Sequence, residues 1–459
     1  MSPPTMPAPH LRSHEHYIAS CVALAQERLS RFSSLAEITA QERRINLYPR
    51  LHSLEEPHQI CVLEEDGRLA QRLDRARKAV VQGDILFEHA AAGEGTRLML
   101  GPKYLLNIGR DFRVKDIAHL MSADTGAVIT PEAVAARLEC LPEELLPITL
   151  GSRHMLQLAF DLGKLALELG ESPQEVRRRQ RLLVTVSEDM AARIAKNFYQ
   201  WHFYGFDPAR VYFLVQRSFH GINLVSGKFF YDFTSPRRLH NHGHMAMQQT
   251  MDHQIFKLSQ ARVWEKVSQP REAVADWLAG FADKISYNIE DLDYLTQSLD
   301  LPALGLALEL GDQDYRMVME VVANNPAKPQ KGGMLAWDRE LERDVMIESF
   351  QLGDIANAEI HYLNRNFNHY PHPLMSWRQV GELGLPRPIA VKEGFLYFQP
   401  VQGDINFLVS TAFFRRRQMR PIRNLKNPSA LPTAVNCMGA QDRQAGFKEF
   451  VRLCWEGHH

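Results

Sequence analysis

Residues 84–103 read DILFEHAAAGEGTRLMLGPK, and their order decides the fold class. Asp84 to Ala90 has the apolar content of a strand, and the small, glycine-rich stretch beginning at Ala90 follows at once. A strand, a glycine loop and then a helix is the usual order of an α/β phosphate site. Gly93 and Gly95 would let the backbone turn and approach a polyphosphate, leaving N–H groups to donate to its oxygens. Arg97 and Lys103 add cations, arginine as a planar fork and lysine as a point charge. Neither of the two commonest glycine motifs is present. Leu98 stands where a dinucleotide fingerprint needs its third glycine, and no GK[ST] follows.

Outward from this segment the pattern stays α/β. Arg181 to Val186 (RLLVTV) predicts a strand, Glu188 to Trp201 a helix capped by Ser187, and Arg210 to Val215 (RVYFLV) a second strand. Two apolar strands around one helix make a βαβ unit and favour a parallel sheet. His154 to Leu169 reads as a long, well-buried helix. Later strands are expected at Asp314 to Val322, Gly394 to Phe398 and Ile405 to Phe413. Upstream, Ile18, Val22, Ala25 and Leu29 mark one face of a helix over His14 to Phe32, and a second helical region is expected from His58 to Lys78, interrupted near Gly67. The predicted class is therefore α/β: a mixed, mostly parallel sheet flanked by helices, with a helical region over 1–80, a main domain over 81–385 and a small C-terminal region over 386–459.

Composition excludes several classes. With 459 residues, 45% hydrophobic and 23% charged, the chain is long enough for a real core and is neither collagenous nor mostly disordered. Lys and Arg number 53 against 54 Asp and Glu, a net charge of -1, which argues against nucleic-acid binding by whole-domain charge. The runs Arg177 to Arg181 and Arg415 to Arg417 lack interleaved aromatics and read as structural or surface patches. Five scattered cysteines without a CxxC pair suit a reduced compartment. No apolar leader and no uncharged run of membrane-spanning length is visible, so the expectation is a cytoplasmic protein without a membrane partner. His240, His242, His244 and His253 invite a zinc reading, but no HExxH motif or Cys/His tetrad supports it.

The glycine segment resembles the UDP-sugar pyrophosphorylases, the family of UDP-N-acetylglucosamine and UTP-glucose-1-phosphate uridylyltransferases, whose signature is GGxGTRLG followed by a PK pair. Gly93, Gly95, Thr96, Arg97 and Leu98 match, as do Gly101, Pro102 and Lys103, while Ala92 and Met99 replace usual glycines. Residues 184–216 resemble the family's strand, helix, histidine-aromatic turn and strand ending in glutamine, with His202, Gly205, Phe206 and Gln216 at the recognisable positions. The block Leu239 to His244 resembles the family's proline-rich glycine loop, with Pro236 further upstream and Met245 where an acid is usual.

The resemblance covers roughly residues 84–335. It implies a Rossmann-like, GT-A-like nucleotidyltransferase in which UTP and a sugar 1-phosphate give a UDP-sugar and pyrophosphate, reversibly. It also implies roles. Arg97 and Lys103 would be catalytic; Ala92, Gly93, Gly95, Thr96, Gln216 and Gly243 would hold the nucleotide, Gln216 by reading uracil. His242, Lys331 and Gly332 would bound the sugar phosphate, and Asn357, Asn364, Asn366 and Asn368 resemble a sugar-side segment. Mg²⁺ would be the cofactor, with Asp291 and then Asp293 as its ligands. A homo-oligomer is left open, as are two other readings: a nucleotidyltransferase with another base or acceptor, and a non-catalytic nucleotide-sugar sensor.

Overall fold

Gly83 ends one helix and begins the sheet. The helix Leu69–Gln82 terminates where Gly83 takes φ 81°, a left-handed conformation that glycine adopts without a Cβ penalty, and the chain then runs straight into the strand Ile85–Ala90. The computed structural model describes residues 12–64, 67–93, 101–259, 266–327, 329–418 and 423–458.

The central sheet takes ten strands along its main path: β1 Ile60–Val62, β2 Ile85–Ala90, β3 Arg181–Ser187, β4 Val211–Gln216, β5 Ile255–Leu258, β6 Lys266–Ser268, β7 Asp283–Asn288, β8 Met317–Ala323, β9 Tyr362–Pro371 and β10 Thr411–Arg415. Their spatial order is β6-β5-β4-β3-β2-β7-β9-β8-β10-β1. The run β4-β3-β2-β7 is parallel, and so are the pairs β8 with β10 and β10 with β1. β9 lies antiparallel between β7 and β8, and β5 and β6 add antiparallel strands at one edge. The sheet is mixed, as the sequence predicts.

Period-two alternation sends side chains to two cores. Ile85, Phe87, Leu182, Val184, Val211 and Phe213 join the larger core, with the helices Leu150–Glu168 and Leu301–Asp312. Leu86, Leu183 and Leu214 point the other way, onto Met245, Val274, Leu278 and Trp377. A parallel strand buried on both faces can be apolar throughout, which is how these segments read.

Several local expectations change. Ile60–Val62 is a strand, not the start of a helix, because the β10 edge offers it a backbone partner at Phe413 to Arg415. The helix after β3 begins at Ala191 without a side-chain cap, so Ser187 ends the strand instead of capping the helix. Residues 402–407 form a 3-10 turn, and the strand predicted over Ile405 to Phe413 is confined to Thr411–Arg415. Both flanks of the 81–385 region thus contribute strands to one sheet. The boundaries at 80 and 385 mark changes in sequence character along it.

Candidate active site

The chain order of the strands locates the site. From β2 the chain builds outward through β3 to β4, then returns to place β7 on the other side of β2. The carboxyl ends of β2 and β7 therefore flank a topological switch point, where open α/β sheets leave a crevice for ligands. Ala90 pairs with Asn288 at that end, and the Ile289 N–H donates to the Ala90 carbonyl at 3.2 Å.

Two chain segments deliver charge there. The Lys103 N–H donates to the Gly93 carbonyl at 3.1 Å, closing the glycine segment back on itself. The ring of Tyr104 anchors this closure: a Cβ on Gly151 would lie 2.2 Å from Tyr104 Cδ2, so only glycine at 151 admits the ring. Lys103, itself buried, then reaches Glu290, with Nζ 2.5 Å from Oε2. On the other side, the Leu425 N–H donates to the Glu290 carbonyl at 2.8 Å and the Leu292 N–H to the Arg423 carbonyl at 3.0 Å. That pairing carries Lys426 to 3.3 Å from the second Glu290 oxygen. Burial opposes the charge of Glu290, but Lys103 and Lys426 more than offset it and hold its carboxyl below the usual range.

Beside this bridge lies a cleft lined by Ala90, His242, Asn288, Glu348, Asn364, Asn368 and Gln402. Its groups are mostly amides and acids, the chemistry that reads hydroxyls. The Gln402 backbone N–H donates to His242 Nδ1 at 3.2 Å, so Nδ1 is unprotonated and Nε2 carries the hydrogen. Burial is the main cause that lowers the His242 imidazole to about 4; it is neutral at physiological pH. Gln402 Nε2 donates to Glu88, which is fully buried and paired with Lys284 at 3.1 Å. That orientation turns the amide oxygen of Gln402 away from Glu88.

The residues singled out in the sequence separate into three groups. Ala92, Gly93 and Lys103 stand at the switch point, and His242 lines the adjoining cleft; Gly95, Thr96 and Arg97 lie outside the described residues. A Cβ on Gly93 would meet only ordinary contacts, at 3.6 Å from Lys103 Cδ, so packing does not demand glycine there. Gln216 is at the end of β4, where its Nε2 donates to the Asn241 carbonyl at 2.8 Å.

Others are placed differently. Gly243 is in the first turn of the helix Asn241–Gln248, not in an open loop, and its N–H is taken by the Pro400 carbonyl at 3.0 Å. A Cβ there would lie 2.4 Å from the Pro400 carbonyl carbon, so this glycine serves a close approach of two backbones. Lys331 is exposed in the connection after β8, and Gly332 packs on Leu363; neither lines the cleft. Asp293 is held by Arg365 at 2.9 Å and Arg423 at 2.6 Å. Asp291 has no hydrogen-bond or ion-pair partner for its side chain among the described residues, and desolvation together with the Glu290 charge raises its carboxyl well above the usual range. No group of three or more His, Cys, Asp or Glu able to hold a metal occurs among the described residues. Asn364 and Asn368 of the asparagine-rich run do reach the cleft. Sequence reasoning missed Glu290, Glu348, Gln402 and Lys426. Only Glu290 sat in a segment already suspected.

This architecture is that of the UDP-sugar pyrophosphorylases. The chain is similar to UDP-N-acetylglucosamine pyrophosphorylase from Trypanosoma brucei, solved with an inhibitor, at 14% identity over 91% of this chain and 79% of that one, with a TM-score of 0.58. It is also similar to a UDP-glucose pyrophosphorylase mutant from Leishmania major in complex with UDP-glucose, at 14% identity over 90% of this chain and 78% of that one, TM-score 0.51. UDP-glucose phosphorylase from Trypanosoma brucei matches at 15% identity over 91% and 75%, TM-score 0.51. No family model matches the sequence, and no curated protein matches it. No helix among the described residues is long and apolar enough to cross a membrane.

Proposed function

We propose that the protein is a uridylyltransferase that joins UTP and a sugar 1-phosphate to give a UDP-sugar and pyrophosphate, and runs the reverse reaction. The observation that carries this reading is the Lys103–Glu290–Lys426 bridge at the switch point, beside the hydroxyl-reading cleft. The fold it shares with UDP-sugar pyrophosphorylases supports the assignment.

In the forward reaction an oxygen of the sugar phosphate forms a bond to the α-phosphorus of UTP while the bond to the β-phosphate oxygen breaks. The substrate supplies its own nucleophile, so the protein has to align two anions and stabilise the charge that accumulates. Lys103 and Lys426 would exchange part of their contact with Glu290 for phosphate oxygens. The glycine segment with Arg97 would grip the leaving phosphates, Gln216 would read the base, and the sugar would occupy the cleft between His242 and Glu348.

Mg²⁺ fits Asp291 better than Asp293. Asp291 is the acid of the 290–293 cluster whose side chain has no hydrogen bond or ion pair among the described residues, although Lys426 and Arg365 act on it from further off, and magnesium usually takes one or two carboxylates plus substrate phosphates instead of a complete protein cage. When bound, the ion supplies neutralisation of triphosphate charge.

One panel tests the assignment: purified protein, Mg²⁺, each nucleoside triphosphate and several sugar 1-phosphates, scored for pyrophosphate and for the product formed. Turnover with UTP and at least one sugar 1-phosphate is expected. Binding without turnover would leave a sensor.

A further inference from the structure

Glu88 lies in β2 on the same face as Leu86, and its side chain is fully buried. A carboxylate there is costly unless its oxygens are met by donors. Pairing with β7 sets its neighbours: Ser286 stands directly opposite, and Lys284 is two residues away on the same face. Lys284 Nζ lies 3.1 Å from Glu88 Oε2 and 4.4 Å from the centroid of the Tyr370 ring. Gln249, at the end of the helix Asn241–Gln248, donates through Nε2 to Glu88 Oε1. Gln402 donates through Nε2 to Glu88 Oε2 at 3.4 Å and to Ser286 Oγ at 3.3 Å.

The two glutamines differ in where they stand. Gln402 lines the cleft together with Ser286, whereas Glu88 and Gln249 do not. Gln402 is nine-tenths buried, and no hydrogen bond occupies its Oε1 among the described residues. The two ends of a primary amide are nearly equal in size, so shape alone does not fix which of them faces a ligand. The Ser286 hydroxyl can serve either end, because it both donates and accepts. A carboxylate accepts only, and turning the Gln402 amide over would set its oxygen against Glu88 Oε2. Lys284 compensates the charge of that carboxylate, so the orienting group stays in place at modest cost.

We propose that Glu88 is the positioning residue that fixes Gln402 with its carbonyl oxygen toward the cleft, where that oxygen accepts a hydrogen bond from a hydroxyl of the sugar 1-phosphate. The role at the sugar rests on the uridylyltransferase reading; the Glu88–Gln402 contact does not.

The experiment exchanges the two groups. Gln402→Leu removes the acceptor, and Glu88→Gln removes the group that orients it. Each is expected to raise KM for the sugar 1-phosphate about tenfold, the loss expected for one hydrogen bond to a ligand, with KM for UTP unchanged. In the double variant Glu88→Gln/Gln402→Glu the amide and the carboxylate change places. A donor again meets an acceptor, an acceptor oxygen again faces the cleft, and the charge near Lys284 is kept, so KM should return close to the wild-type value. That variant, compared with Gln402→Leu, carries the test should Glu88→Gln alone not fold. In protein with isotope-labelled glutamine side chains, the amide NMR signal lost in Gln402→Leu identifies Gln402 and should move in Glu88→Gln. A folded Glu88→Gln variant with KM unchanged, or raised equally for both substrates, overturns the proposal. So does a double variant as impaired as Gln402→Leu, or an amide signal that Glu88→Gln leaves in place. A wild type without turnover on UTP and any sugar 1-phosphate removes the uridylyltransferase reading, and the amide signal alone then decides the Glu88–Gln402 contact.

Discussion

Lys103 and Glu290 meet across the switch point with 2.5 Å between Nζ and Oε2, each arriving from a different strand end. A cation held this way is pre-placed and already desolvated, so a phosphate oxygen can take over its contact with little reorganisation.

Lys103→Ala is therefore expected to cost about 2–4 kcal/mol in transition-state stabilisation, while Lys426 remains to compensate Glu290 and limits the loss of stability. Turnover and thermal unfolding measured on one preparation check this. Near-normal turnover in a folded variant would remove Lys103 from the catalytic machinery.

Gln216→Ala is expected to lower kcat/KM for UTP more than for ATP or GTP, because a side-chain amide can pair with both a donor and an acceptor on uracil. One Nε2 N–H already holds the Asn241 carbonyl, which leaves the amide oxygen and the second N–H for the base. Equal losses for all nucleotides would reduce Gln216 to a strut between β4 and the following helix.

Metal titrations of Asp291→Asn, Asp293→Asn and Glu290→Gln should separate the three neighbouring acids. Asp291→Asn is expected to raise the Mg²⁺ midpoint and lower the maximal rate. Asp293→Asn should act chiefly on stability, by releasing Arg365 and Arg423. A shift in the metal midpoint confined to Glu290→Gln would move the ligand to that residue.

The histidines of the HNHGH segment predict an acid limit. Burial, and then Arg387, hold His240 down at about 3. The unfolded chain takes up that proton at about pH 6.5. Below that value the unfolded state binds more protons, so stability falls as pH falls, by about 2 kcal/mol from this residue between pH 6.5 and pH 5. Urea unfolding of wild type and His240→Gln across this range should show a shallower slope in the variant; identical slopes would refute the assignment.

The parts of the site visible in the sequence are those written in consecutive residues. Gly93 to Lys103 announces itself because turn-forming residues and cations share one short stretch of sequence, and β2, β3 and β4 because their apolar runs are continuous. Lys426 carries no such local mark. It reaches Glu290 only because Arg423 and Leu425 exchange backbone bonds with the 290–292 segment. Gly243 shows a related limit: a glycine required by the nearness of Pro400 is written with the same letter as one in a nucleotide-binding loop. Ile60–Val62 shows the same limit for the fold, since a three-residue strand is specified by the edge it joins more than by its own pattern.

That short strand also constrains how the protein is made. During synthesis from the amino end, β2, β3 and β4 emerge in succession and can pair with neighbours already present, whereas β1 has to wait for Thr411–Arg415. Until then the β10 edge that receives it does not exist, and a nascent chain carries Ile60–Val62 as an unsatisfied backbone segment. Closing the sheet is thus a long-range event whose loop-closure entropy is met only once residues 411–415 have been made. Chains that stop before residue 411 should accumulate with their amino-terminal segment accessible to proteases, even where the β2–β4 unit has already formed.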